Sequence, residues 1–211
     1  MAVTSLAIPA PDPETGPPYR SHVVVDAAFD PEECAAIIDL AGAWTPEAST
    51  VGADDDGIEV DSIRAATTRW LPVDDDAIVW ITERIAAVVE HANASWGLDL
   101  VGFAEDLQFT TYDRVGDFYT WHQDGLDGGV SDRKLAVVVQ LSDPADYDGG
   151  GLELFDVLVD LDAEALSEWR ERVRAIGTAV VFPSWEYHRV TELTGGVRHS
   201  LVSWISGPRV R

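Results

Sequence analysis

The chain has 211 residues, 46 % of them hydrophobic and eight of them Trp, which is enough to bury a substantial core and excludes a disordered chain. The net charge of −24, with a single Lys against thirteen Arg, repels phosphate backbones and anionic membranes, so nucleic-acid and membrane partners are not expected. No apolar run approaches the ~20 residues needed to span a bilayer, and the N-terminus lacks a signal-peptide pattern, so a cytoplasmic location is expected.

Residues 1–20 carry five prolines and little periodicity, and are expected to form a flexible or extended arm before a single domain over 21–211. His22–Val25 is a short strand. Asp30-Pro31-Glu-Glu33 is a helix start, with a capping Asp, Pro at the first helical position and acids in the first turn, and the helix runs to about Ala43. Residues 45–62 form an acidic loop. A second helix is expected from about Asp75–Asp76, because Ile78, Ile81, Ile85, Val88 and Ala92 recur at three- and four-residue steps before Gly97. The helical support thus lies within 30–97. Cys34 falls in the first helix, can form no internal disulfide, and is expected as a small buried apolar residue.

From residue 105 the texture changes to short β-branched and aromatic runs between Gly, Asp and Pro: 106–113, 117–122, 134–141, 151–155, 177–182, 187–192 and 197–205. One helix interrupts them at 163–174, with acids early and Arg170, Arg172 and Arg174 late, as the helix dipole favours. Helices followed by many regularly spaced strands make a mainly β fold, a sandwich or jelly roll buttressed by N-terminal helices, with its core over 105–206.

His122 and Asp124 stand two residues apart at the end of a strand-like run, and a strand places such a pair on one face. His188 follows in a second run and Arg198 ten residues later. Two neutral imidazoles and one carboxylate bind one face of Fe(II) and leave the other open to a substrate acid and dioxygen. The pair alone is weak evidence, since 5 His and 24 Asp in this length give roughly 0.6 His-x-Asp matches by chance. Arg198 and Ser200 share a strand face. A buried Arg needs an anion, and its planar fork matches a carboxylate, with Ser200 or Tyr112 adding a hydroxyl. Arg64 and Arg69 can also reach a substrate carboxylate, but ion pairing with the surrounding acids is expected instead. His22, His91 and His199 are left outside the site, Gly149-Gly-Gly151 is read as a turn, and Trp204 as core packing.

Taken together, Tyr112-x3-Gly116-x2-Tyr119-x2-His122-x-Asp124, then Gly149-Gly-Gly-Leu-Glu-Leu-Phe155, then Phe182-Pro183-x4-His188-Arg-Val190-x7-Arg198-x-Ser200-x3-Trp204 resemble the Fe(II)- and 2-oxoglutarate-dependent dioxygenase superfamily, prolyl-4-hydroxylase-like branch. The resemblance implies a double-stranded β-helix with His122, Asp124 and His188 as iron ligands. Arg198, Tyr112 and Ser200 fall on 2-oxoglutarate-binding positions. It further implies a hydroxylase of an unactivated C–H in a peptidyl, amino-acid-like or metabolite substrate, consuming 2-oxoglutarate and O2 and releasing succinate and CO2. Ascorbate is a compatible reductant. Retention of Asp124 favours hydroxylation over halogenation, because a small residue there opens a halide position. The competing reading is a cupin-like metal-binding jelly roll without oxygenase activity, or a module that keeps the fold alone. The loops at 45–62 and 125–133 are expected to frame the substrate entrance. No motif speaks to oligomeric state.

Overall fold

A computed structural model describes residues 19–48, 63–125 and 130–208. The expected arm at 1–20 and the expected entrance loop at 45–62 therefore fall largely outside the described residues, as do positions 126–129 of the expected loop at 125–133. In chain order the elements are β1 (Val23–Val25), α1 (Pro31–Ala41), β2 (Glu47–Ala48), β3 (Arg64–Ala65), β4 (Thr67–Leu71), α2 (Val79–Asn93), β5 (Gly102–Phe103), β6 (Leu107–Tyr112) and β7 (Phe118–His122). Then come β8 (Arg133–Gln140), β9 (Tyr147–Gly149), β10 (Leu152–Leu154), α3 (Phe155–Asp160), α4 (Ala163–Arg174), β11 (Ala179–Pro183), β12 (His188–Val190), β13 (Leu193–Gly196) and β14 (Arg198–Ser206).

The strands make a large sheet in the order β1-β11-β8-β14-β6-β4-β2, with β5 added on β14, a smaller sheet β10-β12-β7-β3, and the pair β13-β9. All the pairings are antiparallel. Side-chain alternation gives the large sheet two apolar faces, which explains why β8 and β11 read as unbroken Val-rich runs. Leu135, Val137, Val139, Val181 and Leu201 face outward and pack with Ile37 of α1 and Ile81, Ile85 and Ala92 of α2. Ala136, Val138, Val180, Phe182 and Trp204 face inward against Leu152 and Leu154 of the smaller sheet and Trp169 of α4. Each fully buried Ile or Leu contributes about 2 kcal/mol of transfer free energy, so the helices are held by their apolar stripes.

The helix starts follow their capping chemistry. Asp30 accepts from the Glu33 amide while the Glu33 carboxylate accepts from the Asp30 amide, and Pro31 opens the first turn. Asp162 caps α4, whose bounds match the sequence expectation. The second helix does not begin at Asp75–Asp76. Those residues form a turn in which Asp75 accepts from Ala77 and Ile78, and α2 starts at Val79. Asp competes for the helical backbone with its own side chain, which delays the start. Strands β3 and β4 occupy a stretch to which the sequence pattern assigned no element. Cys34 is buried as expected. No helix among the described residues is long and apolar enough to cross a membrane.

Candidate metal centre and its buried arginines

His122 ends β7 and His188 opens β12, and the two strands pair with these residues directly opposite each other. Asp124 lies just past β7, where its amide and that of Gly125 both donate to the Ser184 carbonyl, at 2.8 and 3.0 Å. A Cβ at residue 125 would stand 2.7 Å from both the Arg133 carbonyl oxygen and the Ser184 Cβ, so the tight passage behind Asp124 requires glycine. Arg133 donates to the Asp124 carbonyl at 3.2 Å and lies over the Trp204 ring.

The three ligand-type atoms converge within 4.8 Å of one another. Asp124 faces His122 Nε2 through Oδ1 at 3.5 Å and His188 Nε2 through Oδ2 at 3.4 Å. Each imidazole is oriented by the carbonyl two residues before it: His122 Nδ1 donates to Thr120 O at 2.8 Å, and His188 Nδ1 to Glu186 O at 3.0 Å. A carbonyl can only accept, so the proton sits on Nδ1 and the Nε2 lone pair of each ring points at the shared space. The Tyr119 ring stacks on His122 and Phe182 packs against His188.

Burial, reinforced by the adjacent His188, pushes the His122 pKa down to about 3, so this ring is neutral and ready to ligate at physiological pH. Burial alone would raise Asp124, but His188 and His122 outweigh it and hold the carboxyl below its usual range. The Trp204 indole adds to this from beside the carboxylate, short of a properly formed hydrogen bond. Two neutral nitrogen donors and one carboxylate fit a divalent first-row metal, Fe(II) included.

Arg198, at the start of β14, is 2 % exposed and among the largest fully buried side chains. Its Nε donates to Gln140 Oε1 at 3.1 Å, its guanidinium lies 5.2 Å from the centre of the Tyr112 ring, and its Nη1 has no partner among the described residues. Tyr112 pairs with Arg198 across the sheet, and Ser200 sits between Thr110 and Gln140 on the same inward face. All of these are buried. A desolvated, incompletely bonded guanidinium with no acid paired to it among the described residues is costly, and an anion placed beside it in this cradle would offset that cost.

The sequence reading missed two parts of this cradle. Gln140 interrupts the run Leu135-Ala-Val-Val-Val-Gln140-Leu, and a lone amide in a core strand was the available signal. Gly150 was read as a turn. Its φ is +57°, and a Cβ there would stand 3.2 Å from Arg198 Cδ. Among the described residues no acid pairs with Arg64 or Arg69, and the acids at 54–61, next to Arg64 in the chain, lie outside the described residues. Arg64 is buried and its Nε has no partner among them. His199 points to the opposite face, bonded to Thr111 and stacked on Phe109. His22 is bonded to Trp169 of α4 and is not part of the ligand cluster. Trp204 is core packing as expected.

The model of the 2OG-Fe(II) oxygenase superfamily matches residues 107–206. A PKHD-type hydroxylase of Hyphomonas neptunium is 35 % identical over 94 residues, covering 43 % of this chain and 38 % of that protein. Another, from Azoarcus, is 25 % identical over 183 residues, covering 83 % of this chain and 74 % of that protein. The chain spans only 33 to 38 % of the length of the first three curated relatives that it matches. Among solved structures, a prolyl-4-hydroxylase of Pseudomonas putida superposes with a TM-score of 0.64 at 21 % identity, covering 89 % of this chain and 93 % of that one. A prolyl hydroxylase of Trichoplax adhaerens, in complex with a hypoxia-inducible-factor peptide, gives 0.67 at 16 % identity, covering 88 % and 83 %. These neighbours share the double-stranded β-helix seen here as two facing antiparallel sheets. Residues 107–206, which carry the His-Asp-His cluster and the buried arginine, thus match the 2OG-Fe(II) oxygenase superfamily, and the fold is prolyl-4-hydroxylase-like.

Proposed function

We propose that the protein is a 2-oxoglutarate-dependent hydroxylase in which His122, Asp124 and His188 hold Fe(II), while Arg198 receives the distal carboxylate of 2-oxoglutarate. The observation that carries this reading is Arg198: a metal-binding jelly roll with no oxygenase activity has no use for a fully buried guanidinium whose Nη1 has no partner among the described residues. Gln140 aims Arg198 through its Nε, the Tyr112 ring supports the guanidinium, and Ser200 adds a buried hydroxyl on the same face. Bound Fe(II) would supply the oxidising chemistry with 2-oxoglutarate and O2 as co-substrates, one oxygen atom of O2 entering the succinate formed with loss of CO2 and the other a substrate C–H bond. The chain's part is orientation. Thr120 and Glu186 carbonyls fix both imidazoles, and Phe182, Tyr119 and Trp204 wall the cluster with apolar surface that excludes water.

The substrate in this reading is a peptidyl residue, an amino acid or a related small molecule, the classes implied by the resemblance to the prolyl-4-hydroxylase-like branch. An anaerobic screen with Fe(II) and 2-oxoglutarate, read by succinate after oxygen is admitted, tests the activity. Asp124→Ala or His122→Ala is expected to abolish succinate formation and weaken metal binding. Full metal affinity in the double variant His122→Ala/His188→Ala would overturn the metal assignment. Metal binding without any 2-oxoglutarate binding would favour the cupin-like alternative.

A further inference from the structure

Arg64 is a second buried guanidinium on the inner side of the fold. It lies on β3, opposite Tyr119 of β7, and its guanidinium sits 4.7 Å from the centre of the Tyr119 ring. That ring stacks in turn on His122, so Arg64 stands one aromatic ring away from a candidate iron ligand. Its charge also helps to depress His122. Arg64 is 6 % exposed. Nη1 makes only a long contact, 3.5 Å, with Gln108 Oε1, and Nε has no partner among the described residues. Gln108 is itself buried, with its amide nitrogen tied to Thr110 at 2.9 Å, which holds its oxygen toward Arg64.

Gln108, Thr110 and Tyr112 alternate along one face of β6. Arg198 faces the Tyr112 end and Arg64 the Gln108 end. Four residues of strand separate the two ends by about 13 Å. No acid among the described residues pairs with Arg64. A peptide carbonyl can accept a hydrogen bond from Arg64 but brings no net charge, whereas a carboxylate offsets the buried cation and matches the open Nε edge of the fork.

We propose that Arg64 and Gln108 form a carboxylate-binding subsite for the primary substrate, beside Tyr119 and separate from Arg198. The substrate class is then a free amino acid or another small carboxylic acid, held by its acid group, in place of an internal segment of a polypeptide. This deepens the hydroxylase reading and rests on it.

The test uses the full chain loaded anaerobically with Mn(II) and saturated with 2-oxoglutarate, so that Arg198 is occupied. Titration with acetate, followed by thermal shift, is expected to give saturable stabilisation, and acetamide none. Arg64→Gln is expected to weaken acetate binding at least roughly tenfold, and Arg64→Lys to retain part of it, because the charge survives while the fork is lost. Arg69→Gln, which changes a cation on the opposite face of the neighbouring strand, is expected to leave it unchanged. Stabilisation that persists in Arg64→Gln would place acetate on the metal or elsewhere and overturn the proposal, as would equal effects of acetate and acetamide or no saturable effect at all. The prior step, stabilisation by 2-oxoglutarate and its loss in Arg198→Ala, reports separately on the hydroxylase reading. That reading can stand while the subsite fails. In turnover, free acids are expected to trigger succinate release where their carboxamides do not.

Discussion

At the scale of single residues, the interior around Arg198 makes sharper demands than the metal ligands. Gln140 spends its oxygen on Arg198 Nε and its nitrogen on the Tyr147 hydroxyl at 2.9 Å, so one amide serves two buried groups. Gln140→Leu leaves both unpaired, and each unsatisfied buried group costs about 1–3 kcal/mol. The expected outcome is a 2-oxoglutarate KM raised roughly tenfold or more with kcat nearly unchanged, measured by initial rates of succinate formation. A fall in kcat at constant KM would count against the aiming role. Gly150→Ala acts on the same cradle from behind. It forces a left-handed φ of +57° on a residue with a Cβ and crowds Arg198 Cδ and Leu193 Cδ1 at 3.2 Å each. A stability loss of about 1–2 kcal/mol in urea unfolding is expected, together with a several-fold rise in 2-oxoglutarate KM. Arg198→Ala is expected to raise that KM about 30-fold or more, since a buried charged contact is lost.

Among elements, the contact between the stretch leading into β1 and helix α4 turns on His22. The Trp169 indole donates to His22 Nε2 at 2.8 Å, which only a neutral imidazole can accept. Burial, with Arg172 nearby as a second cause, lowers the His22 pKa from 6.5 to about 4. The unfolded chain takes up this proton below about 6.5 and the folded chain resists it until about 4. The contribution is therefore complete above pH 6.5 and is lost as pH falls through that window, up to about 3 kcal/mol. Denaturant unfolding of the metal-free protein at pH 7, 6 and 5 should show a steeper loss in wild type than in His22→Gln, which keeps an acceptor but does not titrate. Parallel pH profiles would remove His22 as the cause.

For the whole molecule, −24 charges on 211 residues repel one another, and the repulsion is stronger in the folded state than in the expanded chain. Added monovalent salt screens it over a Debye length of about 10 Å at 0.1 M. Tm is expected to rise by roughly several degrees between 10 mM and 0.5 M NaCl, at fixed pH and without metal. A flat or falling Tm would show that attractive ion pairs, such as Glu153 with Arg170 and Arg189, outweigh the general repulsion.

Local signals account for much that was legible from sequence. The capping of α1 by Asp30, the early acids and late arginines of α4, the Val-rich strands, and the His-x-Asp pair are all read by near neighbours in the chain, where backbone geometry alone sets which groups meet. The order and spacing of His122, Asp124, His188 and Arg198 carried the likeness to the family before any fold was known. Tertiary structure decided the rest. The pairing of β3 with β7 and of β8 with β14 sets Arg64 beside Tyr119 and Gln140 beside Ser200, over separations of dozens of residues that no periodicity encodes. Ion pairing was the natural expectation for Arg64 in so acidic a chain. Burial between the sheets leaves it facing an amide and a phenol ring, because strand register, and not composition, selects the neighbours of a buried charge.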